Sequence, residues 1–108
     1  MNSKDLIVVM VTVPTELEAE RITAVLLERH RAACVSKIKG VFSQFWWQGR
    51  IDSADEVLLI IKTSAAVLQD IIETVKKNHS YSVPEIIAIP IISGNEDYLS
   101  WIRNEVRK

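Results

Sequence analysis

The sequence predicts an α+β fold, a ferredoxin-like βαββαβ sandwich with an extra C-terminal helix, in which strands and helices follow one another as strand–helix–strand–strand–helix–strand–helix. Three observations predict it. Two strand segments are apolar at nearly every position, two segments repeat apolar residues at helical spacing, and 108 residues suffice for a single core. We therefore expect residues 1–108 to form one domain.

The first strand and helix are marked by apolar pattern and capping. Leu6–Val13 is apolar at nearly every position, which is typical of a strand covered on both faces. The residues around it lack the pattern of a signal peptide, so we interpret it as a buried strand. Thr15 with Glu18 three residues later fits a capping box, and the helix should run to about Arg29–Arg31.

A long strand and a hairpin follow. Ala33–Ile38 and Val41–Gln48 together predict one strand, with a bend or bulge at Gly40. Gly49-Arg50 is the predicted hairpin turn, and Ile51–Ala54 begins the return strand.

The second half of the chain repeats the alternation of strand and helix. Val57–Ile61 is apolar throughout and predicts another central strand, after which Ser64 caps a helix with clean helical spacing. Glu85–Ile92 predicts a fourth strand, and Pro90 places it at a sheet edge or at its exposed end because proline cannot donate to a ladder. Gly94-Asn95 opens the last helix.

This arrangement predicts self-association. The two helices of the βαβ units cover one face of the sheet, yet the first and third strands are apolar toward both faces. A lone C-terminal helix is too small to cover the second face, so we expect a partner subunit's sheet to do so.

Charge and cysteine content exclude several function classes. Thirteen Lys and Arg against fourteen Asp and Glu give a net charge of −1, which offers no field for nucleic acid or an anionic membrane. The first and third strands also lack the aromatics on which an RNA-recognition motif stacks bases. The single cysteine, Cys34, excludes an intramolecular disulfide, and no apolar run is long enough to span a membrane. We expect a cytoplasmic protein.

Residues for metal or catalytic chemistry are sparse. Cys34, His30 and His79 share no short spacing, and each histidine lies near a predicted helix C-terminus, where a polar cap is the simpler explanation. No nucleophile motif or glycine-rich phosphate loop is present. We interpret Asp55-Glu56 as a solvated turn and Glu96-Asp97 as a helix N-terminus. We expect no enzyme, although a site assembled across subunits stays open.

Two segments are better candidates for binding. Because neighbouring strand residues point to opposite faces, at least one aromatic of Phe45-Trp46-Trp47 should face away from the core, as an interface anchor or a pocket wall. The loop after the second helix holds an imidazole, a phenol and a carboxylate in His79, Tyr81 and Glu85. Lys62 lies at the end of the third strand and is a further candidate, although it could also be an ordinary solvated residue at a strand end.

Five segments match the motifs of a known family in order along the chain, namely Ala32–Val35, Trp46–Arg50, Ile61–Thr63, Tyr81–Ile87 and Gly94–Trp101. In these segments the chain resembles the CutA family of divalent-cation tolerance proteins. The resemblance implies a ferredoxin-like homotrimer similar in shape to PII signalling proteins. It also implies a cytoplasmic role in divalent metal tolerance, with copper binding and no catalytic activity.

The resemblance also implies site residues. In the family's loop motif, His-Pro-Tyr-Glu-x-Pro-Glu, the positions of His79, Tyr81 and Glu85 are kept here, while two serines replace the first proline and the first glutamate. His79 is the metal-ligand candidate, for a divalent cation such as copper. Trp47, Lys62, Tyr81 and Glu85 are the candidates for lining an intersubunit cleft that takes a small ion or metabolite. The alternative is a non-catalytic structural trimer that binds a protein partner.

Overall fold

A computed structural model describes residues 5–107 and shows the predicted order of strands and helices. The four strands form an antiparallel sheet in the order β2-β3-β1-β4. The prediction of a single domain over residues 1–108 extends beyond the described residues and stays a prediction. The elements are β1 (Leu6–Val13), α1 (Glu16–Glu28), β2 (Cys34–Trp47), β3 (Arg50–Ser64), α2 (Leu68–Asn78), β4 (Ile86–Pro90) and α3 (Glu96–Glu105).

The main core lies between the sheet and the helices α1 and α2. Alternate residues of β1 and β3, such as Val9 and Ile61, point to this side and are fully buried. They pack against apolar residues of the two helices, including Ile22 of α1 and Ile71 of α2. The helix α3 lies elsewhere, at the end of the sheet, where it forms a smaller cluster with Leu6.

The predicted helix caps are all present. Thr15 Oγ1 accepts the Glu18 N–H at 3.1 Å and donates to the Glu18 carboxylate at 3.1 Å. Ser64 Oγ accepts the Ala66 N–H at 3.2 Å and starts a short 3₁₀ turn that leads into α2. Asn95 Oδ1 accepts the Asp97 N–H at 3.0 Å at the start of α3. These short polar side chains satisfy N–H groups that the first helical turn leaves unpaired.

The β2–β3 hairpin is a long arm, and the molecule measures 46 × 26 × 23 Å. The predicted bulge at Gly40 is confirmed, with a register shift between Ile38 and Val41 and a φ of +74° at the glycine. The predicted turn at Gly49-Arg50 is wrong by one residue. The loop is Gln48-Gly49, with φ of 51° and 82°, because two positive φ values match the twist of a two-residue hairpin and leave Arg50 paired with Trp47.

The strand β4 pairs only with β1, at the sheet edge, so the position inferred from Pro90 is confirmed. The observed strand, Ile86–Pro90, is shorter than the predicted Glu85–Ile92.

The sheet face opposite α1 and α2 is apolar, and we call it the open face. On it, Met10 and Ile60 lie opposite each other and are half-buried, while Ile38, Ile87 and Ile89 are 46%, 50% and 47% exposed. The expectation that β1 and β3 are apolar on both faces is therefore confirmed.

Candidate functional site

A cleft of about 710 Å³ lies between the β2–β3 arm and the loop that joins α2 to β4. Three carboxylates line it, and no Lys, Arg or His is among its lining residues. We call it the acidic cleft. Its walls are formed by Thr12, Ser43, Gln44, Phe45, Trp47, Asp52, Ser53, Ala54, Glu56, Tyr81, Ser82, Val83 and Glu85.

Strand register places the charged and aromatic side chains on the same side of the arm. Phe45 pairs with Asp52, and Trp47 pairs with Arg50 at the end of the hairpin. Since side chains two residues apart share a face, Asp52 and Glu56 lie on one side of β3 and Phe45 and Trp47 on the same side of β2. The intervening Trp46 points the other way and is 72% exposed, so the expectation that an aromatic faces away from the core is confirmed.

Glu56 is the functional candidate that the sequence analysis missed. The interpretation of Asp55-Glu56 as a solvated turn is wrong, because both residues lie within β3 and Glu56 is 6% exposed. The hairpin loop consists of Gln48 and Gly49 alone, so β3 begins at Arg50 and continues without a break to Ser64. The alternation along β3 could have identified Glu56 from the sequence, because Glu56 points to the same face as the apolar open-face residues Leu58 and Ile60.

Tyr81 closes over this carboxylate. Its hydroxyl donates to Glu56 Oε2 at 3.0 Å. Burial raises the pKa of Tyr81 to about 12, helped by the hydrogen bond to Glu56 and the negative charge of that residue. Glu85 lines the same cleft, and desolvation of its carboxyl group, followed by repulsion from Glu56, raises its pKa. The cleft therefore concentrates negative charge in a partly desolvated space.

His79 stands behind Tyr81 and is fully engaged. Its Nε2 is 2.7 Å from the Thr12 carbonyl oxygen, and its Nδ1 accepts the Tyr81 N–H at 3.1 Å. These partners place the proton on Nε2. The ring also lies 4.9 Å from that of Tyr81, centroid to centroid. Metal binding by His79 would have to replace one of these hydrogen bonds, so its geometry is that of a residue that positions Tyr81.

Lys62 lies apart from the other candidates. It follows Glu56 by six residues on β3, which separates the two by about 20 Å along the strand. Its Nζ donates to Ser36 Oγ at 2.6 Å and is 3.7 Å from Cys34 Sγ. The structure thus brings Trp47, Tyr81 and Glu85 to one cleft and leaves Lys62 outside it.

Within residues 5–107, no group of three or more His, Cys, Asp or Glu side chains has the geometry to hold a metal ion. In the same part of the chain, no helix is long and apolar enough to cross a membrane.

Comparison with known proteins identifies the family. The model of the CutA1 divalent ion tolerance protein family matches residues 7–105. The chain belongs to the CutA family. Among CutA relatives, the Divalent-cation tolerance protein CutA of Thermus thermophilus is 44% identical over 96 residues, which cover 89% of this chain and 93% of that protein.

The fold is shared as well. The crystal structure of CutA1 from Oryza sativa superimposes with a TM-score of 0.92 at 44% identity, covering 95% of this chain and 94% of that one. The periplasmic divalent cation tolerance protein CutA from Archaeoglobus fulgidus gives a TM-score of 0.91 at 40% identity, covering 94% and 99%. The chain matches the chloroplastic CutA proteins of Oryza sativa and Arabidopsis thaliana over 94% of its own length but spans only 58% and 56% of theirs.

Proposed function

We propose that this protein is a homotrimer that binds a positively charged ligand in the acidic cleft and takes part in the response to divalent metal ions. The observation that carries the proposal is a cleft lined by three carboxylates and by no cationic side chain. The names of the CutA relatives describe divalent-cation tolerance, and copper(II) is the first ion to test because the family resemblance implies copper binding.

Each candidate residue has a role in this proposal. Glu56 and Glu85 supply negative charge, and Trp47 and Tyr81 form walls of the cleft. His79 orients Tyr81 through its ring and through the N–H it accepts, and it stays the predicted metal ligand. Within one chain Lys62 lies outside the acidic cleft, and its place in a cleft between subunits stays a prediction.

Assembly is supported by the open face. Exposed isoleucines on a sheet gain free energy when a second copy covers them, at about 25 cal/mol for each Å² of apolar surface removed from water. Contiguous exposed apolar surface is also typical of interaction sites on soluble proteins.

Native mass spectrometry with copper(II) tests both parts. We expect a trimer that takes up a small integer number of copper ions per subunit, with uptake reduced in Glu56→Gln and unchanged in Asp55→Asn. The control removes the same charge from the adjacent residue, whose side chain points away from the cleft. A bare trimer, or equal uptake by both variants, would refute copper binding at this site.

His79→Ala tests the positioning role. Loss of the ring frees the Tyr81 backbone N–H and removes the ring contact, so cation affinity should fall while the trimer mass stays the same. Equal affinity in the variant would show that neither His79 nor the geometry it imposes on Tyr81 matters for binding.

A second candidate function is a structural trimer that binds a protein partner. The observation that favours it is the outward side of the arm, where Trp46 and Phe42 are 72% and 60% exposed. It predicts a trimer whose acidic cleft binds no cation and whose partner is lost in Trp46→Ser.

The cytoplasmic location stays a prediction, because the named relatives include chloroplastic and periplasmic proteins. The likeness to PII proteins and the lack of catalytic activity stay predictions as well.

A further inference from the structure

The charge of Glu56 has no counterion within the described chain. The residue is 6% exposed, and the partner of its carboxylate is a neutral hydroxyl, that of Tyr81. A buried carboxylate without a counterion is costly, so a cation from outside would be stabilised beside it. The ion pairs found within residues 5–107 lie elsewhere and join Arg31 to Asp70, Lys39 to Glu16 and Arg103 to Asp5.

The arm also brings aromatic rings to the cleft, on the same side of the arm as Glu56 and nearer the end of the hairpin. Phe45 and Trp47 both line the cleft and are 38% and 43% exposed within one subunit, so a ligand can reach their rings from the cleft of that subunit. The face of an aromatic ring attracts an ammonium group through its quadrupole, and it offers apolar surface to a carbon skeleton. A metal ion can also be attracted by the ring face, but it has no carbon skeleton to pack against the apolar surface.

The size of the cleft favours the same kind of ligand. At about 710 Å³ it falls within the roughly 300–1,000 Å³ that is typical of sites for small organic molecules. A dehydrated metal ion would leave most of this space unfilled. Metal coordination also needs several ligand side chains close together, and no such group of His, Cys, Asp or Glu is found within residues 5–107.

We propose that the ligand of the acidic cleft is an organic ammonium ion with an aromatic or other apolar body. The ammonium group pairs with Glu56, and the body packs against Phe45 and Trp47. The proposal rests on the proposed function in that it places a cation in the same cleft, and it specifies the chemical class of that cation.

Isothermal titration calorimetry with two matched probes tests it. The probes are phenethylammonium and 2-phenylethanol, which share a skeleton and differ in the charged group. We expect phenethylammonium to bind and the alcohol to bind about tenfold more weakly or not at all. Glu56→Gln should lower the affinity for phenethylammonium about tenfold, whereas Asp55→Asn should leave it unchanged. Trp47→Leu should weaken the binding of phenethylammonium as well.

The glutamine at position 56 keeps an acceptor for the Tyr81 hydroxyl, and the circular dichroism spectrum and native mass of each variant report whether it folds and assembles. Copper(II), titrated in parallel, separates the two proposals. If copper(II) binds in a Glu56-dependent way and phenethylammonium binds no better than the alcohol, the organic ligand is refuted and the cation cleft stands. If neither cation responds to Glu56→Gln in a folded protein, both proposals fail.

Discussion

Glu18 joins the start of α1 to the loop that carries Tyr81. One carboxylate oxygen accepts from the Thr15 hydroxyl at 3.1 Å, and the other accepts the Ser80 N–H at 2.8 Å. Burial by itself would raise the pKa of Glu18, but the hydrogen bonds from Ser80 and Thr15 outweigh burial and lower it. This single side chain therefore caps a helix and fixes one end of the cleft loop.

We predict that Glu18→Gln lowers the free energy of unfolding by about 1–2 kcal/mol at pH 7. A glutamine has one oxygen acceptor, so it can accept from the Ser80 N–H or from the Thr15 hydroxyl but not from both. A lowered pKa in the folded state stabilises the protein above the unfolded pKa of about 4.3, and this contribution is lost as pH falls through the folded pKa. Urea unfolding at fixed protein concentration should show the difference shrinking below about pH 4. Glu20→Gln, an exposed change on the same helix, is the control. A difference that stays constant down to pH 3 would refute this role.

The phenol of Tyr81 reports on Glu56. We predict that Glu56→Gln moves the pKa of Tyr81 from about 12 toward its ordinary value of 10, because an amide does not repel the phenolate. Ultraviolet absorbance during alkaline titration measures phenolate, and a Tyr98→Phe background removes the other tyrosine's signal. Asp55→Asn in the same background should leave the titration unchanged. If Glu56→Gln also leaves the titration of Tyr81 unchanged, the Tyr81–Glu56 contact does not persist in solution.

The end of the arm shows how one turn sets a whole element. With two residues between the paired Trp47 and Arg50, the loop needs positive φ at Gln48 and Gly49. Glycine adopts such a φ freely, whereas glutamine does so at a cost. A turn one residue longer would shift β2 by one residue against β3 and move Phe45 and Trp47 to the opposite face.

We predict that Gly49→Ala destabilises the protein by about 1 kcal/mol and that Gln48→Asn stabilises it by a few tenths, because asparagine tolerates positive φ better. A Cβ at Gly49 meets no atom within 4 Å, so the cost is conformational and not steric. Chemical denaturation of the two variants measures both effects. An alanine variant as stable as the original chain would contradict the turn geometry.

Elements with local signals were predictable from the sequence. The capping box at Thr15 and the edge position of Pro90 depend on residues close together in the chain, and both are confirmed. The role of Glu56 was missed because its burial depends on Tyr81, 25 residues later. The cleft between subunits that would join Lys62 to Trp47, Tyr81 and Glu85 stays a prediction, because within one chain Lys62 lies outside the acidic cleft.

At the scale of the whole molecule, the sheet has two apolar faces and the described helices α1 and α2 pack on one. The arm extends the same sheet beyond the helices, so the acidic cleft and the open face lie on one side. In the proposed trimer, a subunit that covers the open face would approach the cleft, which links assembly to the cation site.

We predict that Ile87→Lys disrupts the trimer. Ile87 lies opposite Met10 on the open face, is 50% exposed, and is outside the core that α1 and α2 cover, so a lysine there leaves the folded subunit intact. Burying its charge against a second copy would be costly. Leu17→Lys, at a 71% exposed position on α1, is the control and should keep the trimer mass. Native mass spectrometry and sedimentation measure the outcome. A trimeric Ile87→Lys, with Ile89→Lys also trimeric, would show that the open face is not the interface.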